Sequence, residues 1–243
     1  MIAAIVQIRM GSKRLPEKAF LSLAGKPLIY HVVDRLKYSS EIDQIIVATT
    51  INKIDDVIEK WCDENGIHCF RGSEDNVLKR YYDCAKKYQC DFIVRITGDD
   101  PFKDYRLIDK AIVSCKVMRK DFVCNNSPVS FPEGLDVEVL TFDTLSNIYR
   151  NARTKEYREH VTLYIHKNKK LFSTYNLVNP KDYSRYRWTI DYAEDYIFAK
   201  EIYETLYKNN EIFLTEDIYN LLNEDPSLLL INNELKKSAL YEK

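Results

Sequence analysis

Short apolar runs alternate with helix-like segments through the first hundred residues of the chain. The runs cover residues 2–8, 44–48 and 91–96. Near-continuous apolar runs of this length are typical of parallel strands buried on both faces. The segments with helical spacing are 27–36, 55–65, with Gly66 as a C-terminal cap, and 74–88. This alternation predicts an α/β fold with a Rossmann-like, doubly wound and mostly parallel sheet.

The second half of the chain has a less regular pattern. The predicted elements are, in order, a loop at 125–134, a strand at 137–141, helices near 142–152 and 156–167, strand-like pieces at 171–178 and 186–190, and a helical pattern from Ala193 to the end, interrupted by Pro226. No internal repeat or low-complexity linker divides the chain. We therefore expect one domain over residues 1–243.

The composition is that of a globular chain without a strong charge bias. Hydrophobic residues make up 45% of the 243 residues, enough for one substantial core. Lys plus Arg number 36 against 37 Asp plus Glu, so we expect no general attraction to nucleic acid or to an anionic membrane. The six cysteines form no C-x-x-C pair, and the first apolar run is too short for a signal peptide or a membrane span. These features favour a cytoplasmic protein.

A basic segment follows the first predicted strand, where doubly wound sheets bind their ligands. Residues 9–26 carry five basic residues against one acid. Gly11 and Ser12 offer backbone N–H groups, and Arg14 and Lys18 offer cations, a combination that suits a polyphosphate. The alternative is a basic loop that faces water.

The common phosphate-binding fingerprints are missing from this segment. Gly25-Lys26 is followed by Pro27 rather than Ser or Thr, so it is not a Walker A loop, and the chain has no G-x-G-x-x-G. A different kind of nucleotide-binding fold is needed.

Two aspartates follow separate predicted strands. Asp99 belongs to the sequence Gly-Asp-Asp-Pro at 98–101, and Asp191 follows the piece at 186–190. Mg²⁺ typically takes one or two carboxylates together with phosphate oxygens and water, so the two form a plausible Mg²⁺ pair. The alternatives are a turn at Asp99 and a helix N-cap at Asp191. If the two carboxylates lie close together without a metal ion, replacing either with Asn should be neutral or slightly stabilising.

Seven segments contain most of these polar residues. They are 7–18 (QIRMGSKRLPEK), 25–28 (GKPL), 70–78 (FRGSEDNVL), 95–101 (RITGDDP), 134–139 (GLDVEV), 158–162 (REHVT) and 187–191 (RWTID). Their order and spacing resemble the cytidylyltransferases that activate sugar acids, a group that includes the CMP-KDO and CMP-sialate synthetases. The resemblance is nearest to the branch of spore-coat polysaccharide biosynthesis proteins and covers about residues 1–200.

The resemblance implies a Mg²⁺-dependent transferase of the nucleotide-diphospho-sugar transferase fold that puts CMP from CTP onto a small acceptor and releases pyrophosphate. The implied roles are triphosphate binding by Arg9, Ser12, Arg14 and Lys18, contact with the base and ribose by Arg71, Gly72 and Ser73, and Mg²⁺ binding by Asp99 and Asp191. The catalytic set is then Arg14, Lys18, Asp99 and Asp191. In-line attack on the α-phosphate needs positioning and charge neutralisation rather than a protein nucleophile.

The acceptor itself is left open. Asp136 and Glu138 share one face of a predicted strand and suit hydroxyl groups, or are simply the wet face of an edge strand. Arg158, His160 and Arg187 suit a carboxylate or a phosphate. Because the chain contains both sets, the attacking group can be a hydroxyl, a phosphate or a phosphonate.

The resemblance also implies a homodimer, formed through an inserted dimerisation and acceptor-binding segment at about residues 125–180. Two alternatives compete with this interpretation. A nucleotide-sugar-dependent glycosyltransferase shares strand-end acids, but the chain has no D-x-D triplet. A nucleotidyltransferase that uses another nucleoside triphosphate is the second alternative.

Overall fold

A seven-stranded sheet flanked by helices organises residues 1–209 and 211–235, which the computed structural model describes. The strands are β1 (Ile2–Gln7), β2 (Ser22–Leu23), β3 (Lys26–Pro27), β4 (Gln44–Thr50), β5 (His68–Gly72), β6 (Phe92–Thr97), β7 (Phe122–Cys124), β8 (Glu138–Thr141) and β9 (Thr174–Asn176). The α-helices are α1 (Leu28–Leu36), α2 (Asp56–Glu64), α3 (Val77–Lys87), α4 (Tyr105–Val117), α5 (Phe142–Asn151), α6 (Lys155–Glu159), α7 (Leu163–Lys167), α8 (Ala193–Leu206) and α9 (Thr215–Glu224). Among these residues, no helix is long and apolar enough to cross a membrane.

The strand order places one crevice at the centre of the sheet. The order is β5-β4-β1-β6-β8-β7-β9, and of these seven strands β8 alone runs antiparallel to its neighbours. The chain moves outward from β1 to β4 and β5 and then returns to pair β6 with the other side of β1. The β1/β6 boundary is therefore the switch point, where ligands bind beyond the carboxyl ends of the strands. The predicted α/β, mostly parallel sheet is confirmed.

Both faces of the sheet are covered. In β1, Ala4 and Val6 pack with α1, α4 and α8, whereas Ala3 and Ile5 pack towards α3 and α5, as strand alternation requires. At the carboxyl end of β6, a Cβ on Gly98 would lie 2.6 Å from the Cβ of Ile8. Only glycine fits this close approach, which brings the segments after β1 and β6 side by side.

Several elements differ from the sequence prediction. Helix α4 and the short strand β7 were not predicted, although α4 buries Ile108, Ala111, Ile112 and Cys115 at helical spacing. The predicted helix at 156–167 is two helices, because His160 has extended backbone angles and ends α6. The predicted helix at 74–88 begins at Val77, since the Asn76 side chain accepts a hydrogen bond from the Lys79 N–H and caps it.

The predicted strand at 186–190 is wrong. This segment makes one isolated bridge, between Glu133 and Arg187, and does not join the sheet. Its apolar residues Trp188 and Ile190 are buried against helices instead. Beyond α9, Pro226 begins a short 3₁₀ helix, Pro226–Leu230. The helical pattern predicted past residue 235 lies outside the described residues.

Candidate active site

A cavity of about 680 Å³ opens at the carboxyl ends of β1 and β6, a size typical of small-molecule sites. The segment after β1 contributes Arg9, Ser12, Lys13, Arg14 and Lys18 to its lining. The segments after β6 and before α8 contribute Gly98, Asp99 and Asp191. The remaining walls include Glu74, Asp75, Val77 and Arg80 near the start of α3, and Lys155, Glu159 and His160 at α6.

A buried carboxylate holds the start of the basic segment. The Met10 N–H donates to Asp55 Oδ1 at 2.7 Å, and the Thr50 hydroxyl donates to the other oxygen of Asp55. Asp55 is 1% exposed. On the cavity wall, Arg9 Nη1 donates to Glu74 Oε1 at 2.7 Å. This role of Asp55 was not predicted, because the local pattern indicates only the start of a helix.

The backbone of the basic segment is partly committed to its own loop. The Ser12 N–H donates to Met10 O at 2.8 Å, so it does not serve as the free phosphate donor that the sequence suggested. A Cβ on Gly11 would be 3.9 Å from the nearest atom outside its chain neighbours, an ordinary contact, so space does not require glycine there. The cationic side chains are therefore the main feature that the segment offers to an anion.

Lys18 joins the two predicted metal ligands. Its Nζ donates to Asp99 Oδ2 at 2.8 Å, to Asp191 Oδ1 at 2.9 Å and to Ile190 O at 2.8 Å. Arg14 Nη2 lies 2.7 Å from the same Asp191 oxygen. Both carboxylates thus reach one ammonium group, and the convergence expected from the sequence is present. The cation between them here is Lys18.

The charges at this point stabilise one another. Burial raises the pKa of Asp99, but the Lys18 ammonium outweighs burial and brings the pKa below its ordinary value. Burial also lowers the pKa of Lys18, but Asp99 and Asp191 outweigh it and raise the pKa. The Lys18 side chain is only 12% exposed. Asp99 and Lys18 are therefore both charged near neutral pH.

Asp191 is held from behind by a second set of charges. Arg187 is buried and donates to both oxygens of Asp195, at 2.9 and 3.0 Å, and to Asp191 Oδ2 at 3.3 Å. Asp195 also accepts the Asp191 N–H at 3.0 Å. Arg187 therefore positions the carboxylate instead of lining the cavity. Asp195 was not predicted, although an acid in the first turn of a helix is a recognised capping signal.

The adjacent acids Asp99 and Asp100 have different environments. Asp100 is buried, and its Oδ2 pairs with the buried Lys103 ammonium at 2.9 Å and accepts the Thr97 hydroxyl. Asp99 is the one that lines the cavity. The acids after β6 are thus divided into one that faces the cavity and one held in a buried ion pair.

The three residues expected near the base do not line the cavity. Arg71 pairs with Asp56 and Glu59 of α2 at 2.6 and 2.8 Å, and donates to the backbone carbonyls of Thr50 and Asn52. Ser73 Oγ accepts the Asn76 N–H before α3. Gly72 packs directly against the Arg80 side chain.

Of the five residues assigned to the acceptor, only His160 lines the cavity. Arg158 is exposed and Asp136 is half-buried, both outside the cavity lining. Burial lowers the pKa of His160, although the neighbouring Glu159 carboxylate opposes that effect. Lys155 and Glu159 line the same wall and were not predicted. Their i,i+4 spacing ahead of His160 is the pattern that would have indicated them.

Glu138 lies in a buried hydrogen-bond network and is 1% exposed. Its carboxylate accepts Arg95 Nη1 at 2.8 Å and the Thr162 hydroxyl at 2.9 and 3.0 Å, and His166 Nε2 lies 3.3 Å away. Burial raises the pKa of Glu138, but the Arg95 charge and the His166 contact outweigh it and lower the pKa to about 2. This carboxylate ties β8 to β6 and α7, and its oxygens are occupied by the protein.

We expect Glu138→Gln to lower the free energy of unfolding at pH 7 by about 3 kcal/mol, the value of a pKa lowered from 4.5 to about 2. Because the folded pKa is the lower one, this stability is fully present above pH 4.5 and is lost as the pH falls towards 2. Urea unfolding at several pH values should show the variant and wild type converging over that interval. Glu204→Gln, at an exposed pair with Lys200, is the control and should change little. A stability difference that stays constant with pH would contradict the role of the charge.

The fold and the cavity together define the class of protein. A cationic segment faces two carboxylates at the switch point of a doubly wound sheet, the arrangement of an enzyme that handles nucleoside triphosphates. The cytidylyltransferase family profile matches residues 3–221. The chain belongs to the cytidylyltransferase family and is a CTP-dependent nucleotidyltransferase.

Similar proteins extend along nearly the whole chain. An uncharacterized protein of Methanocaldococcus jannaschii is 38% identical over 99% of this chain and 98% of its own. The spore coat polysaccharide biosynthesis protein SpsF of Bacillus subtilis is 34% identical over 93% of this chain and 95% of its own. A solved cytidylyltransferase from Leptospira borgpetersenii has a TM-score of 0.90 at 31% identity, covering 98% of each chain. The predicted family is confirmed, and it favours nucleotidyl transfer over the glycosyltransferase alternative.

Proposed function

We propose that this chain transfers CMP from CTP to a small sugar acid, sugar phosphate or phosphonate for surface polysaccharide biosynthesis, in a Mg²⁺-dependent reaction. The observation that carries the proposal is the meeting of Lys18 with Asp99 and Asp191 at the β1/β6 switch point. The likeness to a spore-coat polysaccharide protein supports the biosynthetic role.

The donor set fits Mg²⁺. Asp99 and Asp191 place two carboxylates within 3 Å of one cationic nitrogen, and Mg²⁺ uses one or two protein carboxylates plus phosphate oxygens and water. Within residues 1–209 and 211–235, no group of three or more His, Cys, Asp or Glu side chains is arranged to hold a metal ion. The proposed site therefore combines the two carboxylates with phosphate oxygens and water. When bound, the ion neutralises charge on the phosphates. Asp99 and Asp191 would hold it.

The basic side chains of the cavity are proposed to bind the triphosphate. Four cations line one wall and would bind the triphosphate: Arg9, Lys13, Arg14 and Lys18. The acceptor oxygen then attacks the α-phosphorus: the new P–O bond forms, the bond to pyrophosphate breaks, and the proton of the acceptor leaves to solvent. Charge stabilisation by these cations supplies much of the rate, as in other phosphoryl transfers.

The wall formed at α6 is proposed to receive the acceptor. Lys155 offers a cation to a carboxylate or phosphate, while Glu159 and His160 offer hydrogen-bond acceptors to hydroxyl groups. These three residues replace most of the acceptor set expected from the sequence.

We further propose a single transferase domain that dimerises through residues 125–180 and works in the cytoplasm. Strand β9 is an edge strand of the sheet, and Leu171, Tyr175 and Val178 expose apolar side chains beside it, at 67%, 39% and 59%. All six cysteines are free thiols, which fits a reducing compartment. Sedimentation velocity measures the oligomeric state directly, and a monomer would contradict the dimer.

Pyrophosphate release should be fastest with CTP when each of the four nucleoside triphosphates is tested with Mg²⁺ against a panel of acceptors. The panel should contain sugar acids, sugar phosphates and phosphonates, because the Lys155 ammonium group can bind any of these anionic groups. The same mixtures without acceptor control for hydrolysis. Release that depends on the acceptor but is equal or faster with ATP or GTP would remove the assignment of the base. Release with no acceptor of any class would remove the proposed reaction.

A further inference from the structure

One arginine at the cavity wall keeps a donor without a partner. Arg80 in α3 lines the cavity but is only 3% exposed. Its Nη1 donates to Ser73 O at 3.0 Å, whereas its Nε has no hydrogen-bond partner within the described residues. Buried guanidinium groups are normally fully hydrogen-bonded, since an unpaired buried donor is costly. This cost indicates that a bound ligand accepts the missing hydrogen bond from Arg80 Nε.

The environment of Arg80 disfavours its positive charge. Burial lowers the pKa of Arg80, and the nearby Arg9 lowers it further, while Asp55 and Glu74 act in the opposite direction. Glu74 is already paired with Arg9. Arg80 therefore has no dedicated carboxylate of its own in this wall, and an acceptor-rich ligand edge would satisfy it.

Gly72 makes room for this side chain. A Cβ on Gly72 would lie 3.0 Å from Arg80 Cγ and 3.0 Å from Phe70 Cε1. The backbone at Gly72 is not in the left-handed region, so glycine is needed there for space. The family resemblance assigns Gly72 and Ser73 to the base. In the structure, Gly72 leaves space for the Arg80 side chain, and the Ser73 carbonyl accepts a hydrogen bond from it.

Arg71 is the competing candidate and is already satisfied. Two carboxylates of α2 and two backbone carbonyls occupy its guanidinium, and it lies outside the cavity lining. Moving it to a base would break all four of these contacts. Arg80 could donate to a base from its Nε, which is unpaired within the described residues, and keep its hydrogen bond from Nη1 to Ser73 O.

We propose that Arg80 selects cytosine by donating to acceptors on the edge of the base, an inference that rests on the proposed use of CTP. Cytosine presents two adjacent acceptors, O2 and N3, which match parallel N–H donors of a guanidinium. Uracil presents a donor at N3, which would face an N–H of Arg80 and leave both unpaired. Arg80 therefore discriminates between the two pyrimidines.

The test is calorimetric titration of the full chain, in Mg²⁺, with CTP, UTP and tripolyphosphate. Arg80→Lys should weaken CTP binding about ten- to a hundred-fold, the value of a charged hydrogen bond, bring the CTP/UTP affinity ratio close to one, and leave tripolyphosphate unchanged. Gly72→Ala keeps the charge but crowds Arg80, so it should lower the same ratio. Arg71→Gln should leave the ratio as in wild type.

Several results would overturn the proposal. Equal losses for CTP, UTP and tripolyphosphate would make Arg80 a phosphate ligand, and unchanged binding of all three would make it structural. Loss of discrimination in Arg71→Gln but not in Arg80→Lys would assign the base to Arg71. If Arg80→Lys does not fold, a wild-type ratio in Gly72→Ala overturns it. A wild-type chain that binds CTP over UTP yet releases no pyrophosphate contradicts only the proposed reaction.

Discussion

Asp191→Asn is expected to lower the rate of CMP transfer at saturating Mg²⁺ by at least about a hundred-fold while the chain still folds. Asn keeps the size of the side chain but removes one of the two charges proposed to hold the ion. The bound ion is expected to lower the barrier by several kcal/mol, and each 1.36 kcal/mol is tenfold in rate. Pyrophosphate release over a range of Mg²⁺ concentrations measures the effect. Asp99→Asn should behave in the same way.

For the metal-free Asp191→Asn variant, the structure reverses the stability change expected from the sequence. Two facing carboxylates would repel, so Asn was expected to be neutral or stabilising. Because Lys18 and Arg14 contact Asp191 at 2.9 and 2.7 Å, removing the charge should instead cost about 1–3 kcal/mol. Asp217→Asn is the matched control, since Asp217 caps α9 outside the cavity lining and should leave transfer unchanged. Full Mg²⁺-dependent activity in Asp191→Asn would leave Asp191 with only a structural role, as the ion-pair partner of Lys18 and Arg14.

The sequence predicted where the site lies because strand ends are visible in local patterns. Parallel strands bring their carboxyl ends to one edge, so Asp99 and the segment after β1 were expected to meet. Asp191 lies beside them for a different reason. The segment before it, 186–190, is not a strand; it packs closely against Gly134, where a Cβ would lie 2.7 Å from the Thr189 backbone nitrogen. The location was therefore predictable, whereas the route of the chain to it was not.

The division of labour among similar side chains could not be predicted. Arg71 and Arg80 lie only nine positions apart, and what distinguishes them is the pair of α2 carboxylates that binds Arg71. Glu138 was grouped with Asp136 by strand alternation, but its partner Thr162 comes from 24 residues further along the chain. Lys18 reaches a carboxylate 173 residues away. Such contacts depend on tertiary packing, which no local pattern records.

Lys18→Met is expected to weaken CTP use by at least about ten- to a hundred-fold, because it removes a charged donor from the wall proposed to hold the triphosphate. A second effect, on the stability of the metal-free protein, distinguishes Lys18→Met from a general loss of positive charge. Without Lys18, Asp99 and Asp191 face each other at a partly buried site, so the metal-free variant should lose about 1–3 kcal/mol of stability.

Mg²⁺ alone should then raise the melting temperature of Lys18→Met more than that of wild type, since in wild type the ion must displace an ammonium that holds both carboxylates. Thermal unfolding with and without Mg²⁺, and without nucleotide, measures this difference. Lys26→Met is the control, because Lys26 lies over the Tyr30 ring outside the cavity lining and should change neither quantity. An equal Mg²⁺ shift in wild type and Lys18→Met would mean that the two carboxylates are not where the ion binds, whatever the loss of CTP use.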